Sequence, residues 1–162
     1  MTRPVVVGLG PVPTDLVQGV LGAAADFIDT PSADDLAVAV GAIVRADVDV
    51  DKATFDTMPA LQVLARTGVG TERVDVAEAA RRGIPVAITP GSNTDAVAEG
   101  AIAHLLALTK SLSPLTSLVA EGRWLERTDH PVGDLAGGTL AVLGYGRIGS
   151  RVGALAQAFG MR

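Results

Sequence analysis

A chain of 162 residues that is 48% hydrophobic and 19% charged has the composition of a folded globular protein, which excludes disorder. A net charge of −5 with no Lys/Arg cluster argues against a nucleic-acid partner, and the absence of cysteine excludes disulfides and thiolate metal sites. No apolar run approaches the ~18 residues of a membrane span, and Gly and Pro break the N-terminus too early for a signal peptide, so a cytoplasmic protein with no membrane partner and no metal is expected.

In chain order, Pro4 to Leu9 reads as a buried strand, and Pro11 and Pro13 disqualify the following Gly8-Leu9-Gly10-Pro11 as a nucleotide fingerprint. Thr14 to Ala25 is helix-like, Asp26 to Ile28 is a short strand, and Ser32 is the N-cap of a helix through Val40. Strands are predicted at Gly41–Arg45, Gln62–Ala65 and Pro85–Ile88, with helices at Asp51–Thr57 and Val74–Arg82, the latter closed by Gly83. Short apolar strands alternating with short helices predict an α/β lobe, a parallel sheet covered on both faces.

The order changes at Pro90-Gly91-Ser92-Asn93-Thr94, a turn-rich stretch placed to act as a hinge. The helix predicted over Asp95–Leu112 is apolar nearly all round and so is expected to be buried, in a core or against a partner. A second helical piece runs from Pro114 to Glu121, followed by a polar arm, Gly122–Gly138, with Trp124 as an interface or arm anchor. His104 is read as a packed or interface histidine and His130 as a solvated loop residue; neither is expected to do proton chemistry.

Thr139 to Gly160 carries the one stretch that announces a chemistry. Leu140 to Leu143 reads as a strand, Gly144-Tyr145-Gly146-Arg147-Ile148-Gly149 as a tight turn, and Ile148, Val152, Leu155, Ala156 and Phe159 as one face of a helix. Gly144 would allow the turn, Gly146 a close approach of backbone to pyrophosphate, and Gly149 tight helix–strand packing, with the helix N-terminus facing the anion. An ordinary strand-to-helix turn is the alternative; the flanking strand and amphipathic helix favour dinucleotide binding. The acidic residue expected about 20 positions further on, toward the ribose, would lie past Arg162.

From about residue 41 onward the chain resembles the N-terminal half of the D-isomer-specific 2-hydroxyacid dehydrogenases, in the phosphoglycerate dehydrogenase-like branch. The resemblance rests on Arg66-Thr-Gly-Val-Gly-Thr with Val74-Asp75, on Arg82-Gly-Ile-Pro-Val86, on Thr89-Pro-Gly-Ser-Asn93 with Ala96-Val-Ala-Glu99, and on the glycine turn ending in Ala158-Phe-Gly-Met161. It implies a flavodoxin-like substrate lobe (residues 1–92), a hinge at 90–95, and the start of a truncated Rossmann lobe (93–162). The implied reaction is hydride transfer between NAD, or NADP, and a small 2-hydroxy or 2-oxo acid, 3-phosphoglycerate-like acids included.

By the same resemblance Arg45, Arg66, Gly68, Val69, Gly70 and Asn93 would face the substrate, while Val69, Gly144, Gly146, Arg147, Ile148 and Gly149 would meet the cofactor. Ala46 stands where the branch often has serine, which weakens a phosphate-bearing substrate, and Gly138 where a lysine is usual. The family's catalytic arginine, glutamate and histidine would lie past Arg162, so no catalytic residue is expected within these positions. A homodimer through the cofactor lobe is implied. A second hypothesis is a non-catalytic module that binds NAD or a carboxylate and acts through a partner subunit.

Overall fold

The computed structural model describes residues 3–162, which form two compact units, one up to Pro90 and one from Gly91 to Arg162. The first is built on five parallel strands: β1 (Val5–Leu9), β2 (Asp26–Ile28), β3 (Ala39–Val44), β4 (Val63–Arg66) and β5 (Val86–Ala87). Their order is β2-β1-β3-β4-β5, with Val7 opposite Ile28, Leu9 opposite Val44, Val44 opposite Arg66 and Ala65 opposite Ala87. This is the flavodoxin-like order, in which the winding direction reverses between β1 and β3. Right-handed crossovers then send α1 (Thr14–Leu21) to one face and α2 (Ala33–Val38), α3 (Lys52–Asp56) and α4 (Val76–Arg81) to the other.

The core explains the apolar strands. Val7, Ala42, Val44 and Leu64 from the sheet are buried with Phe55 and Met58 from α3 and the turn after it. Polar side chains fix the helix starts. Asp35 N–H donates to Ser32 Oγ while the Ser32 N–H donates back to the Asp35 carboxylate, closing the predicted cap into a capping box. Asp51 and Asp75 accept from the N–H groups of Thr54 and Glu78, each at 2.8 Å. Boundaries move by a few residues where backbone geometry intervenes. α1 ends at Leu21 rather than Ala25 because Gly22, at φ 57°, turns the chain and donates to the Gln18 carbonyl. The Gln18 side chain then accepts from the Phe27 N–H and donates to the Ala25 carbonyl, tying α1 to the edge strand β2. α2 stops at Val38, since β3 begins at Ala39 rather than Gly41.

The second unit holds α5 (Thr94–Thr109), α6 (Leu112–Ala120) and α7 (Arg147–Ala158). α5 and α6 are bent by 62° at a break where Ser111 adopts left-handed backbone, φ 48°. α6 therefore begins before Pro114, which sits in its first turn, where the missing N–H costs little. No single helix among the described residues is long and apolar enough to cross a membrane, although this bent pair is so in combined length and composition. The arm carries an unforeseen 3-10 helix, Trp124–Asp129, with the Arg127 guanidinium 4.6 Å from the Trp124 ring centre.

Three expectations are corrected here. Leu140–Leu143 is not a strand, because no neighbour among the described residues supplies a ladder along it. Only its beginning is paired: the Leu140 N–H donates to the Arg162 carbonyl at 2.7 Å and the Arg162 N–H to the Gly138 carbonyl at 2.8 Å. Of the two placements expected for α5, burial in a core of this chain does not hold: α6, α7 and the arm at Gly133 contact it, only Ala98 and Ile102 are buried, and Leu108 is 78% exposed. Of the two placements expected for His104, packed or at an interface, the packed one does not hold, since the residue is exposed on that helix.

Candidate functional site

In a parallel α/β sheet the carboxyl ends of the strands form the ligand edge. Here β4 ends in Arg66, only 5% exposed. The next residues form a clamped loop. The Thr67 N–H donates to the Val44 carbonyl of β3 at 3.0 Å, the Gly68 N–H turns back to the Arg66 carbonyl at 2.9 Å, and the Gly68 carbonyl accepts from the Thr89 N–H at 2.9 Å. Among the described residues, the N–H groups of Val69 and Gly70 donate to no protein acceptor. Successive amides held open beside a guanidinium make a receptor for a carboxylate.

The side chains around this loop are close. A Cβ on Gly68 would lie 2.2 Å from Arg66 Nη1, and one on Gly70 would lie 2.2 Å from Glu72 Oε2. The Glu72 carboxylate is also 3.9 Å from Arg66 Nη2. Thus the small residues are the space in which Arg66 and Glu72 lie. The part played by Glu72 went unread in the sequence, though an acid two residues past the glycine pair was a visible signal.

Arg45 follows β3, its N–H bound to the Leu9 carbonyl at 3.1 Å. β3 and β4 are neighbours, so Arg45 stands one strand from the Arg66 loop on the same sheet edge. Its side chain is exposed, and no carboxylate among the described residues pairs with it.

The second group of residues lies in the unit from Gly91 on. Gly146 is the N-cap of α7, with no side chain capping it, and the first helical bond runs from the Ser150 N–H to the Gly146 carbonyl at 2.9 Å. The N–H groups of Arg147, Ile148 and Gly149 are therefore the helix's unspent donors. Gly144 has φ 92°, a conformation a side chain resists, and a Cβ on Gly149 would sit 2.0 Å from the Gly144 carbonyl oxygen. At Gly146, by contrast, an added Cβ meets nothing within 4 Å. Donors facing an open approach, with no side chain in the way, fit a dinucleotide pyrophosphate.

Asn93 precedes α5, its carbonyl accepting from the Val97 N–H while its side-chain amide caps nothing. Arg151 on α7 lies 2.6 Å from Asp95 in the first turn of α5, which brings the starts of the two helices together. This pair, 56 positions apart, carried no sequence signal. No group of three His, Asp or Glu side chains that could hold a metal ion occurs among the described residues.

The model of the D-isomer specific 2-hydroxyacid dehydrogenase catalytic domain matches residues 13–154. The chain belongs to that family. Among its dehydrogenase relatives it is 38% identical over 130 residues to a glyoxylate reductase of Thermococcus litoralis, covering 76% of this chain and 39% of that one. It is 37% identical over 122 residues to the D-3-phosphoglycerate dehydrogenase of Rattus norvegicus, covering 75% and 23% respectively. Among solved dehydrogenases, D-lactate dehydrogenase from Aquifex aeolicus, complexed with NAD and lactic acid, superposes with a TM-score of 0.84 at 25% identity, covering 97% of this chain and 49% of that one. An NADPH-dependent glyoxylate/hydroxypyruvate reductase from Sinorhizobium meliloti, in complex with NADP and malonate, gives 0.81 at 29%, covering 99% and 52%. The chain thus spans well under two thirds of the length of these dehydrogenases.

Proposed function

We propose that these residues form the acid-binding lobe (1–92) and the opening of the cofactor lobe (93–162) of a nicotinamide-dependent D-2-hydroxyacid dehydrogenase. The observation that carries the reading is the clamped loop Arg66–Gly70, which leaves two amides open beside a buried arginine. In this reading the Val69 and Gly70 amides and Arg66 hold the substrate carboxylate, and Arg45 takes the group beyond C2. Asn93, its amide unspent in the cap, contacts the substrate from the hinge side. Gly144, Gly146 and Gly149 shape the turn, and the first amides of α7, at Arg147 and Ile148, receive the cofactor phosphates, with Val69 bordering the nicotinamide. A bound nicotinamide supplies the hydride that interconverts 2-hydroxy and 2-oxo acids.

The preferred cofactor is NAD, with NADP an alternative, since the family holds proteins solved with each. The resemblance puts the proton-transferring histidine and its partners past position 162, so the 162 residues alone bind ligands without turnover. The exposed apolar residues of α5 and α6, Val97, Leu108, Leu112 and Val119, suit a homodimer through the cofactor lobe, and we assign the protein to the cytoplasm.

A second reading is favoured by the stretch Ala141–Leu143, along which no strand among the described residues pairs and where Leu143 is fully exposed. There the chain is a non-catalytic module, and a partner subunit supplies the neighbouring strand. Amide NMR of the 162-residue chain with NADH and with glycolate tests the main reading. Shifts at 144–149 with the first and at 66–70 with the second are expected; no shift at either overturns it. Co-purification of a second polypeptide from the native source would establish the second reading.

A further inference from the structure

A cavity of about 730 Å³ opens at the carboxyl ends of β1, β2 and β3, lined by Pro11, Val12, Asp29, Thr30, Pro31 and Arg45 among others. It lies at the β1/β3 switch point, where doubly wound sheets bind ligands. Its position relative to the carboxylate loop follows from the strand order. Neighbouring strands are ~4.8 Å apart, so Arg45, directly after β3, stands about 5 Å from the β4 loop, and the cavity, centred on β1, about 10 Å from it.

Those spacings discriminate by substrate length. A carbon chain advances ~1.25 Å per bond, from the C–C length and angle, so a two- or three-carbon acid held at Arg66–Gly70 ends at or before Arg45. A six-carbon acid reaches about 9 Å from carboxylate oxygen to terminal oxygen and enters the cavity. Small acids leave it unused.

The lining selects the chemistry of that distal part. Pro11, Val12 and Pro31 present apolar walls, and the polar groups are Arg45, Thr30 and the Asp29 carboxylate. Asp29 Oδ2 accepts from the Thr14 hydroxyl at 2.9 Å and Oδ1 from Thr30 at 3.4 Å, and neither Asp29 nor Arg45 has a counter-charge among the described residues. A far wall bearing a carboxylate with no counter-charge repels a second anion and has lone pairs left to accept from substrate hydroxyls, while Arg45 donates to hydroxyl oxygens nearer the reacting carbon. We infer that the cavity is a distal subsite for polyhydroxylated acids of about six carbons, with Arg45 and Asp29 reading the hydroxyls. The inference rests on the proposed carboxylate site at Arg66–Gly70.

The test compares glycolate with D-gluconate, two 2-hydroxy acids of different length, by amide NMR titration of the 162-residue chain. Both are expected to shift 66–70, and gluconate alone to shift 10–12 and 29–31, binding about ten-fold tighter, as one added hydrogen bond to a charged group would give. Thr30→Trp, at an exposed position, fills the cavity and is expected to bring the two acids to equal affinity; Asp29→Asn, which keeps the shape and an acceptor for Thr14, removes most of the difference. Equal affinity in the unsubstituted chain, or gluconate shifts confined to 66–70, overturns the subsite while leaving the carboxylate site standing. Tighter binding of 3-phosphoglycerate than of gluconate, with shifts at Arg45, overturns the hydroxyl reading in favour of an anion. If neither acid shifts 66–70, the carboxylate site itself fails, and the subsite with it.

Discussion

Gly149 faces the carbonyl of Gly144 so closely that a single added carbon would stand 2.0 Å from its oxygen and 3.2 Å from Val142 Cγ1. The obstacle is backbone, which cannot swing aside as a side chain would. Gly149→Ala is expected to push α7 off the Val142–Gly144 segment, destabilising the unit by about 1–3 kcal/mol as overpacking does. Urea denaturation reads the loss, and NADH titration should show weaker binding. Unchanged stability would mean that the turn relaxes freely.

Arg66 is expected to dominate carboxylate affinity. Arg66→Met keeps the stem's bulk and deletes the charge-assisted bonds, so glycolate binding should weaken about ten-fold or more. Arg66→Lys should recover little, because a point charge lacks the planar fork. Equal binding by all three forms would remove Arg66 from the site.

On the opposite, structural side, Glu78 of α4 is 3% exposed. Arg82 pairs with its Oε1 at 2.6 Å, while Arg81 approaches Oε2 within 2.5 Å but off the hydrogen-bonding direction. Breaking a fully buried pair costs ~3–5 kcal/mol. The guanidinium partners here are 26% and 66% exposed, so water relieves part of that. Glu78→Ala is expected to cost about 1–3 kcal/mol in urea denaturation, with Glu78→Gln costing less.

Acid should destabilise the fold through exposed carboxylates held below their usual range: Asp56 by hydrogen bonds from Arg82 and Lys52, Asp35 by those from Ser32, and Asp51 by those from Thr54. A lowered folded value means the contribution is complete above the unfolded value near 4 and is lost as pH falls through the lower folded values. The denaturation midpoint is therefore expected to be flat for these groups above about pH 5 and to fall below about pH 4. Asp56→Asn combined with Ser32→Ala should shallow that fall; an unchanged slope would show that other carboxylates carry it.

The parallel sheet was legible because each strand is an apolar run closed by a turn or cap residue, and Ser32, Asp51 and Gly83 mark their helix ends. The glycine turn was legible for the same local reason. The misjudged parts depend on distant partners. Leu140–Leu143 has every local attribute of a strand, yet a strand exists only through its neighbours. α5 reads as a buried helix from its own residues, but burial within the chain is decided by what lies against it, here α6, α7 and the arm at Gly133, which cover part of its surface. The Arg66 loop was placed by resemblance; the pairing of Val44 with Arg66 then set Arg45 beside it, and the cavity at Asp29 required the strand order that no local pattern encodes.

Glu72 gives the Arg66 loop a resident carboxylate of its own, folded against Gly70 and 3.9 Å from the guanidinium. An arriving acid therefore exchanges with an anion already at the door rather than neutralising a bare cation. Because Glu72 is 73% exposed, it can swing into water and release the arginine at little cost. Affinity for the acid then answers weakly to salt, since added ions screen the departing pair as much as the incoming one.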